Sequence, residues 1–223
     1  MTTIKVAIDG PAGAGKSTIA KIVAKQLGFI YIDTGAMYRA VALKAIKNNI
    51  NTKEANKICI ILENIDINIK HDEDGQVVLL DGEDVTQAIR TPEVSVGASN
   101  VAAIPQVRIK LVELQRMLAA QNNVIMDGRD IGTYVLPDAD IKIFLTASVE
   151  DRARRRYEEM KLKYSDCSFE QVKKDIEYRD KNDSSREFAP LKAAEDAVII
   201  DTTNNDLEQS VAVVSNLIRE RLM

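Results

Sequence analysis

The chain of 223 residues has few of the side chains that hydrolytic enzymes and metal proteins use: one histidine, two cysteines and no tryptophan. A Ser-His-Asp or Cys-His site would need the single His71, which lies in the acidic run H-D-E-D-G and is expected in a solvated turn. Cys59 and Cys167 lie far apart and have no histidine cluster to join, so a zinc site of usual spacing is excluded. Any chemistry must therefore use lysine, arginine, aspartate, serine and backbone amides.

Long apolar runs and a large excess of one charge are also missing. No apolar run approaches the roughly 18 residues that span a bilayer, and the start of the chain has no signal-peptide pattern. The formal charge of −4 and the aromatic content of 4% both argue against a nucleic-acid partner. Two unpaired cysteines suit a reducing compartment. We therefore expect a cytoplasmic protein without membrane or nucleic-acid partners, and we expect it to be a monomer.

Five short runs rich in β-branched residues stand apart along the chain. They are continuous rather than alternating, as parallel strands buried on both faces should be. Apolar residues at helical spacing separate them, as in the segment from Pro105 to Gln121, which has proline in its first turn. This alternation predicts an α/β fold with a five-stranded parallel sheet flanked by helices. The predicted strands are Ile4–Asp9, Ile30–Asp33, Val124–Asp127, Ile141–Ala147 and Val198–Asp201.

One segment departs from this alternation. Asp66–Glu83 contains two alternating runs joined by an acidic glycine turn, which is typical of a β-hairpin. Because a hairpin does not easily join a parallel sheet, the pattern predicts a small antiparallel insertion at about residues 63–90. A hairpin added to the edge of the main sheet is the alternative.

A glycine-rich segment matches the phosphate-binding pattern G-x-x-x-x-G-K-[ST], directly after a predicted strand and directly before a predicted helix. Glycines let successive N–H groups point at phosphate oxygens, and the helix adds its positive end. Lys16 is predicted to reach the β- and γ-phosphates of ATP, and the Ser17 hydroxyl to be a ligand of Mg²⁺. The predicted ATP-binding residues are Gly10, Pro11, Ala12, Gly13, Ala14, Gly15, Lys16, Ser17 and Thr18.

Arginines follow the second and third predicted strands. The second strand runs into D-T-G-A-M-Y-R, which ends at Arg39, and the third into D-G-R-D-I-G-T, which contains Arg129. Ligands of open parallel sheets bind outside the carboxyl ends of the strands, so both guanidiniums are expected beside the phosphate loop, holding a second phosphorylated ligand. Surface ion pairs are the alternative. Asp127, which ends the third strand, either orients a metal-bound water or caps the next turn.

A further arginine cluster opens the helix after the fourth strand. Arg152, Arg155 and Arg156 share one helix face at i, i+3 and i+4, while Arg154 points away. One hypothesis is a lid, at about residues 150–168, whose arginines close over the transferring phosphates and exclude water. The alternative is a solvated face paired with nearby glutamates.

Together these segments resemble bacterial cytidylate kinases, which are nucleoside monophosphate kinases. The resemblance spans nearly the whole chain and implies a P-loop kinase fold with a helical lid and a small antiparallel β insert in the monophosphate-binding region. Residues 1–62 and 104–223 would form the core, which includes the lid, and residues 63–103 the insert. The matching pieces, in family order, are I-D-G-P-A-G-A-G-K-S-T, I-D-T-G-A-M-Y-R-A, V-A-A-I-P-Q-V-R, M-D-G-R-D-I-G-T, the arginine cluster and R-D-x-x-D-x-x-R-x-x-A-P-L.

The resemblance also implies an activity: transfer of the γ-phosphoryl group of ATP to CMP and dCMP, with Mg²⁺, in pyrimidine nucleotide metabolism. The implied catalytic residues are Lys16, Arg129, Arg152, Arg155 and Arg156. The implied CMP-binding residues are Arg39, Arg129 and Arg186 for the phosphate, Ser99, Arg108 and Asp130 for the cytosine edge, Arg179 and Asp183 for the sugar, and Thr34 and Tyr38 for the pocket wall.

The chemistry of the residues agrees with this assignment at the base. The Asp130 carboxylate can accept a hydrogen bond from the exocyclic N4 amine of cytosine, which uracil lacks, and Arg108 can donate to O2 and N3. Three other functions stay open as alternatives. They are a kinase for another small acceptor such as UMP or a shikimate-like metabolite, an RNA-binding protein, and a GTP-binding switch, although the only Asn-Lys pair, Asn56-Lys57, lacks the aspartate of an N-K-x-D guanine reader.

Overall fold

A computed structural model describes residues 3–72, 75–162 and 167–222. Numbered along the chain, the strands of the central sheet are β1 (Lys5–Asp9), β2 (Ile30–Asp33), β6 (Val124–Gly128), β7 (Ile141–Thr146) and β8 (Val198–Asp201). All of them pair in parallel, in the order β2-β6-β1-β7-β8. The predicted five-stranded parallel sheet is therefore confirmed, with strand ends that differ from the prediction by one residue at most.

Helices cover both faces of this sheet. One buried cluster lies between the sheet and α2 and α5, and a second lies between the sheet and α1 and α8. The fold is therefore doubly wound, as the alternation of strands and helices predicts. No helix in the described part of the chain is long and apolar enough to cross a membrane. The helices are α1 (Lys16–Leu27), α2 (Thr34–Lys47), α3 (Ala55–Glu63), α4 (Pro92–Val101), α5 (Pro105–Ala119), α6 (Val149–Lys161), α7 (Phe169–Ser184) and α8 (Leu207–Leu222).

The segment between α3 and α4 forms a separate antiparallel sheet of three strands: β3 (Ile67–Asp72), β4 (Gly75–Leu80) and β5 (Glu83–Asp84). Ile69, Val78 and Leu80 alternate with more exposed residues and are buried in the cluster that contains α2. This sheet does not join the central one, so the predicted antiparallel insertion is confirmed and the edge-hairpin alternative is wrong. The domain boundaries proposed at residues 63 and 103 stay a prediction.

The position expected for His71 is wrong. The residue lies on β3 rather than in a turn, because the alternating pattern that starts the hairpin continues through it to Asp72. Its ring Nε2 lies 2.9 Å from the carbonyl oxygen of Tyr31 on β2. The histidine is still exposed, and residues 73–74 of the predicted acidic turn lie outside the described residues.

Candidate active site

The phosphate-binding loop connects β1, the middle strand of the sheet, to α1. Gly10 begins it at φ +149°, and a Cβ there would lie 1.9 Å from the carbonyl oxygen of Leu145 on β7, so only glycine fits against the neighbouring strand. Gly15, at φ +82°, is the N-cap of α1 and supplies no side-chain cap. The first amides of α1 therefore stay available to an anion.

Lys16 and Ser17 lie at the start of α1. The Lys16 Nζ donates to the carbonyl oxygen of Pro11 at 2.7 Å, and the side chain is buried. Burial lowers the pKa of the Lys16 amine well below its usual value, Arg129 lowers it further, and Asp127 opposes both effects. The amine is therefore held in a position where an added anion would favour its charged form.

The side chain of Asp127, near the end of β6, points at the phosphate loop. Its Oδ2 accepts a hydrogen bond from the Ser17 hydroxyl at 2.8 Å, and its Oδ1 accepts one from the Tyr31 hydroxyl at 2.8 Å. Hydroxyl and carboxylate oxygens are the ligands that Mg²⁺ prefers. The pair formed by Ser17 and Asp127 thus has the chemistry of a magnesium site, and of the two roles expected for Asp127 it favours the one near the metal.

Asp9 fixes the segment that follows β6. Its two carboxylate oxygens accept from the backbone N–H groups of Ile131 and Gly132, each at 2.8 Å, in the π-helical turn Ile131–Val135. Burial raises the pKa of the Asp9 carboxyl to about 7, and the two backbone hydrogen bonds act against that rise. Because this turn directly follows Arg129 and Asp130, Asp9 positions two predicted site residues without lining the cleft itself.

We expect Asp9→Ala to lower the free energy of unfolding by about 2–4 kcal/mol, because two buried N–H groups lose their acceptors. Asp9→Asn keeps one acceptor and should lose less. Since the pKa of Asp9 is raised in the folded state, the stability of the wild type relative to Asp9→Asn should fall as the pH rises from about 4 to about 7. Urea denaturation of these variants at several pH values measures both effects.

The control for this prediction is Asp138→Ala. Asp138 is 71% exposed and pairs with Lys5, so its removal should change the free energy of unfolding by less than about 0.5 kcal/mol. An Asp9→Ala variant as stable as this control would contradict the positioning role of Asp9.

A cleft of about 580 Å³ opens at the carboxyl edge of the central sheet, beside the phosphate loop. Among the described residues that line it, cationic side chains outnumber carboxylates by nine to six. The structure brings all ten predicted CMP-binding residues to this cleft, together with positions 13–18 of the phosphate loop. Three of the predicted ATP-binding residues do not line the cleft: Gly10, Pro11 and Ala12.

Asp183 on α7 is the centre of one group of cleft residues. Its Oδ2 accepts from the Nε of Arg129 at 2.8 Å, and its Oδ1 accepts from the Ser99 hydroxyl at 2.7 Å. Burial raises the pKa of the Asp183 carboxyl, but Arg129 and Arg186 outweigh burial and leave that pKa below its usual value. Burial lowers the pKa of Arg179 to about 10, and the neighbouring Arg129 adds to the effect. These arginines thus lie close together, and the single negative charge of Asp183 does not balance their positive charges.

Arg108 and Asp130 form a buried ion pair that also lines the cleft. An Nη2 of Arg108 contacts Oδ2 of Asp130, and the two side chains are 1% and 5% exposed. The guanidinium carbon of Arg108 lies 5.4 Å from the ring centroid of Tyr38. The pair therefore presents a fixed donor and a fixed acceptor beside an aromatic ring, which is a suitable set for a polar planar ligand.

Several buried polar atoms of the described cleft residues have no hydrogen-bond partner. Buried polar groups are nearly always paired, so unpaired ones at a cleft indicate the position of a polar ligand. Gln115 on α5 is fully buried behind the cleft lining, where its side chain faces the Tyr38 hydroxyl, and none of the motifs selected it. The unpaired atoms of predicted CMP-binding residues are Arg39 Nε, Arg108 Nε, Arg179 Nε and Arg186 Nη2.

The arginines of α6 separate into two groups. Arg155 and Arg156 line the cleft, where Arg156 pairs with Glu159 at 2.9 Å. Arg152 does not line it: its Nη1 donates to the carbonyl oxygen of Ala12 at 2.7 Å and to Asp180 at 2.5 Å. Arg152 therefore faces the phosphate loop rather than the cleft in this structure, and its role at the transferring phosphates stays a prediction.

The rest of the segment predicted to form the lid is helical and packed where the chain is described. Arg154 points away from the cleft and pairs with Asp151 at 2.8 Å. Helices α6 and α7 pack against each other through a small apolar cluster that includes Ala153 and Ile176. Residues 163–166, which belong to the predicted lid, lie outside the described residues, and closure of the lid stays a prediction.

Comparison of the chain with known proteins shows which family it belongs to. A family model described as Cytidylate kinase matches residues 6–220. The chain belongs to the cytidylate kinase family. It is 57% identical over 217 residues to the cytidylate kinase of Caldicellulosiruptor saccharolyticus, covering 97% of this chain and 96% of that one. It is 51% identical to the cytidylate kinase of Carboxydothermus hydrogenoformans, covering 96% and 97% of the two chains. The resemblance inferred from the motifs is therefore confirmed.

A solved structure of much lower sequence identity shares the fold. An uncharacterized protein from Eubacterium ventriosum superposes with a TM-score of 0.52 at 14% identity, covering 98% of this chain and 99% of that one. At this identity the likeness concerns the fold alone. The structure of this cytidylate kinase family member also shows residues to which the sequence analysis gave no role: Asp33 and Arg90 line the cleft, and Asp9, Tyr31 and Gln115 lie behind its lining.

Proposed function

We propose that this member of the cytidylate kinase family transfers the γ-phosphoryl group of ATP to CMP, giving ADP and CDP, and that it also accepts dCMP. One observation carries the proposal: the phosphate loop and the buried pair Arg108–Asp130 line the same cleft of about 580 Å³. A donor site for a triphosphate and a reader for a cytosine edge would therefore share one cleft. Such a reaction belongs to pyrimidine nucleotide metabolism.

The donor half of the site uses the phosphate loop. Backbone amides at the start of α1 would bind phosphate oxygens, with Lys16 on the β- and γ-phosphates. The Ser17 hydroxyl, with Asp127 behind it, would hold Mg²⁺, an ion that neutralises charge on the phosphates when it is bound with ATP. The 2.8 Å hydrogen bond between these two side chains supports this assignment.

The acceptor half uses the arginines and carboxylates that line the cleft beyond the phosphate loop. Arg39, Arg129 and Arg186 would bind the phosphate of CMP, and Arg179 with Asp183 the sugar. Ser99, Arg108 and Asp130 would read the base, and Thr34 and Tyr38 would line the pocket. The unpaired guanidinium nitrogens at Arg39, Arg108, Arg179 and Arg186 support these roles, because a ligand with phosphate and carbonyl oxygens would supply their acceptors.

No strong general base is needed, because the attacking atom is an oxygen of a phosphate that is already ionised. The rate enhancement comes from positioning and from positive charge around the transferring group. Lys16, Arg129, Arg155 and Arg156 would supply this charge. Arg152, which donates to the carbonyl oxygen of Ala12, would act as a positioning residue that holds the phosphate loop.

A single assay tests the proposal: ADP production from ATP with each of CMP, dCMP, UMP, AMP and GMP. We expect turnover with CMP and dCMP and much weaker turnover with the others, since uracil lacks the N4 amine and the larger purines lack the cytosine edge of an amine, a ring acceptor and the O2 carbonyl in one row. Absence of turnover with CMP would overturn the proposed function. Equal turnover with UMP would contradict the role given to Asp130.

A further inference from the structure

Arg90 lines the cleft but follows no strand of the central sheet and belongs to none of the motifs that indicated the site. It ends the 3₁₀ turn Ala88–Arg90, between β5 and α4, within the predicted insert. Its side chain is 42% exposed, compared with 14% for Arg39 and 19% for Arg129. Arg90 is therefore a cation of the cleft that is carried by the insert and is more open than its neighbours.

The partner of Arg90 is a carboxylate that it shares. Oδ2 of Asp33 accepts from an Nη2 of Arg39 at 2.7 Å and from an Nη1 of Arg90 at 3.1 Å. Burial raises the pKa of the Asp33 carboxyl, but Arg39 and Arg90 outweigh burial and leave that pKa below its usual value. One negative charge thus faces two guanidiniums, and positive charge is left over at the start of α2.

The same aspartate joins the insert to the central sheet. The side chain of Gln76 on β4 accepts from the backbone N–H of Asp33 at 2.8 Å and donates to its carbonyl oxygen at 3.2 Å. β2 is an edge strand of the sheet, so Gln76 uses backbone groups that no neighbouring strand occupies. The insert therefore contacts Asp33 at its backbone, through Gln76, and at its carboxylate, through Arg90.

We propose that Arg90 binds the phosphate of the nucleoside monophosphate acceptor beside Arg39, and that Asp33 holds Arg90 in place before the acceptor arrives. The inference rests on the proposed function and adds a residue to it. The contact with Asp33 uses one of the five N–H donors of Arg90, so donors remain for a phosphate oxygen. A phosphate bound between Arg39 and Arg90 would balance the positive charge that the single carboxylate of Asp33 does not neutralise.

A comparison between CMP and cytidine, which lacks the phosphate, tests the proposal. We expect Arg90→Ala to raise the KM for CMP by about 10–100-fold, the loss that removal of a hydrogen bond to a charged group causes. The inhibition constant of cytidine and the KM for ATP should change by less than about two-fold, because neither ligand places a phosphate at Arg90. Arg90→Lys keeps the charge and should lose less than Arg90→Ala.

The matched control is Lys70→Ala, which removes the same charge from an exposed position on β3 that does not line the cleft. It should leave all three constants near their wild-type values. An unchanged KM for CMP in Arg90→Ala overturns the proposal. An equal loss of affinity for CMP and cytidine also overturns it, because Arg90 would then only fix the insert.

The proposed function and the proposed role of Arg90 are tested by different measurements. Wild-type turnover with CMP decides the proposed function, whereas the difference between CMP and cytidine in the variants decides the role of Arg90. Should Arg90→Ala not fold, Arg90→Lys and Arg90→Gln give the same comparison. A loss confined to CMP in those variants supports phosphate binding, and a loss shared with cytidine overturns it.

Discussion

Replacing Lys16 by methionine should lower kcat by about 10²–10³-fold while the protein stays folded. Lys16 is the first residue of α1, and its buried amine donates a hydrogen bond to the carbonyl oxygen of Pro11 at 2.7 Å. Negative charge develops on the phosphate oxygens during transfer, and a fixed cation stabilises that charge more in a water-excluded site than in water. Methionine keeps the length and the packing of the side chain but removes the charge.

The same substitution should not destabilise the protein. Burial and the nearby Arg129 lower the pKa of the Lys16 amine well below its usual value, so its charged form is less stable in the folded protein than in water. Removal of this amine should leave the free energy of unfolding unchanged or raise it, which urea denaturation measures. The result would separate a catalytic role of Lys16 from a structural one.

Lys25→Met is the control for this experiment, since Lys25 lies on the same helix and is exposed. It should keep the wild-type kcat. A Lys16→Met enzyme with full activity would refute the phosphate-loop mechanism, and strong destabilisation by Lys16→Met would show that the amine supports the loop.

The sequence predicts the central sheet well because parallel strands are buried on both faces and must consist of continuous apolar runs. Residues that follow such strands meet at one edge, which is why Arg39 and Arg129 reach the same cleft as the phosphate loop. The antiparallel insert is also predictable, since its strands bury one face and therefore alternate. These features depend on local patterns, and a pattern shows which face of a strand is buried.

Other features depend on what a face packs against, which a local pattern does not show. The spacing of Arg152, Arg155 and Arg156 places them on one side of α6, but the structure buries Arg152 against the phosphate loop. On α5 the buried face includes two polar residues, Arg108, which lines the cleft, and Gln115, which lies behind it. The contact of Asp9 with the turn after β6 joins residues more than 120 positions apart.

Asp130→Asn should reduce the preference for CMP over UMP by about 1–3 kcal/mol, the usual contribution of one base-edge contact. The carboxylate is buried and faces Arg108, so its free acceptor capacity is fixed at one place on the cleft wall. An asparagine has the same shape but carries both an acceptor oxygen and an NH₂ donor. Its oxygen can accept from N4 of cytosine, and its NH₂ group can donate to O4 of uracil, so it should distinguish the two bases less well. The ratio of kcat/KM for CMP and UMP measures the change.

Asp130→Ala adds a second effect, because it leaves the guanidinium of Arg108 buried without its carboxylate. Removing one partner of a buried ion pair costs about 3–5 kcal/mol of stability, so this variant should unfold at a much lower urea concentration than Asp130→Asn. The double variant Asp130→Ala/Arg108→Met removes both charges and should recover most of that stability without recovering the preference for CMP. A single variant that keeps the wild-type ratio of CMP to UMP would show that Asp130 supports Arg108 and does not read the base.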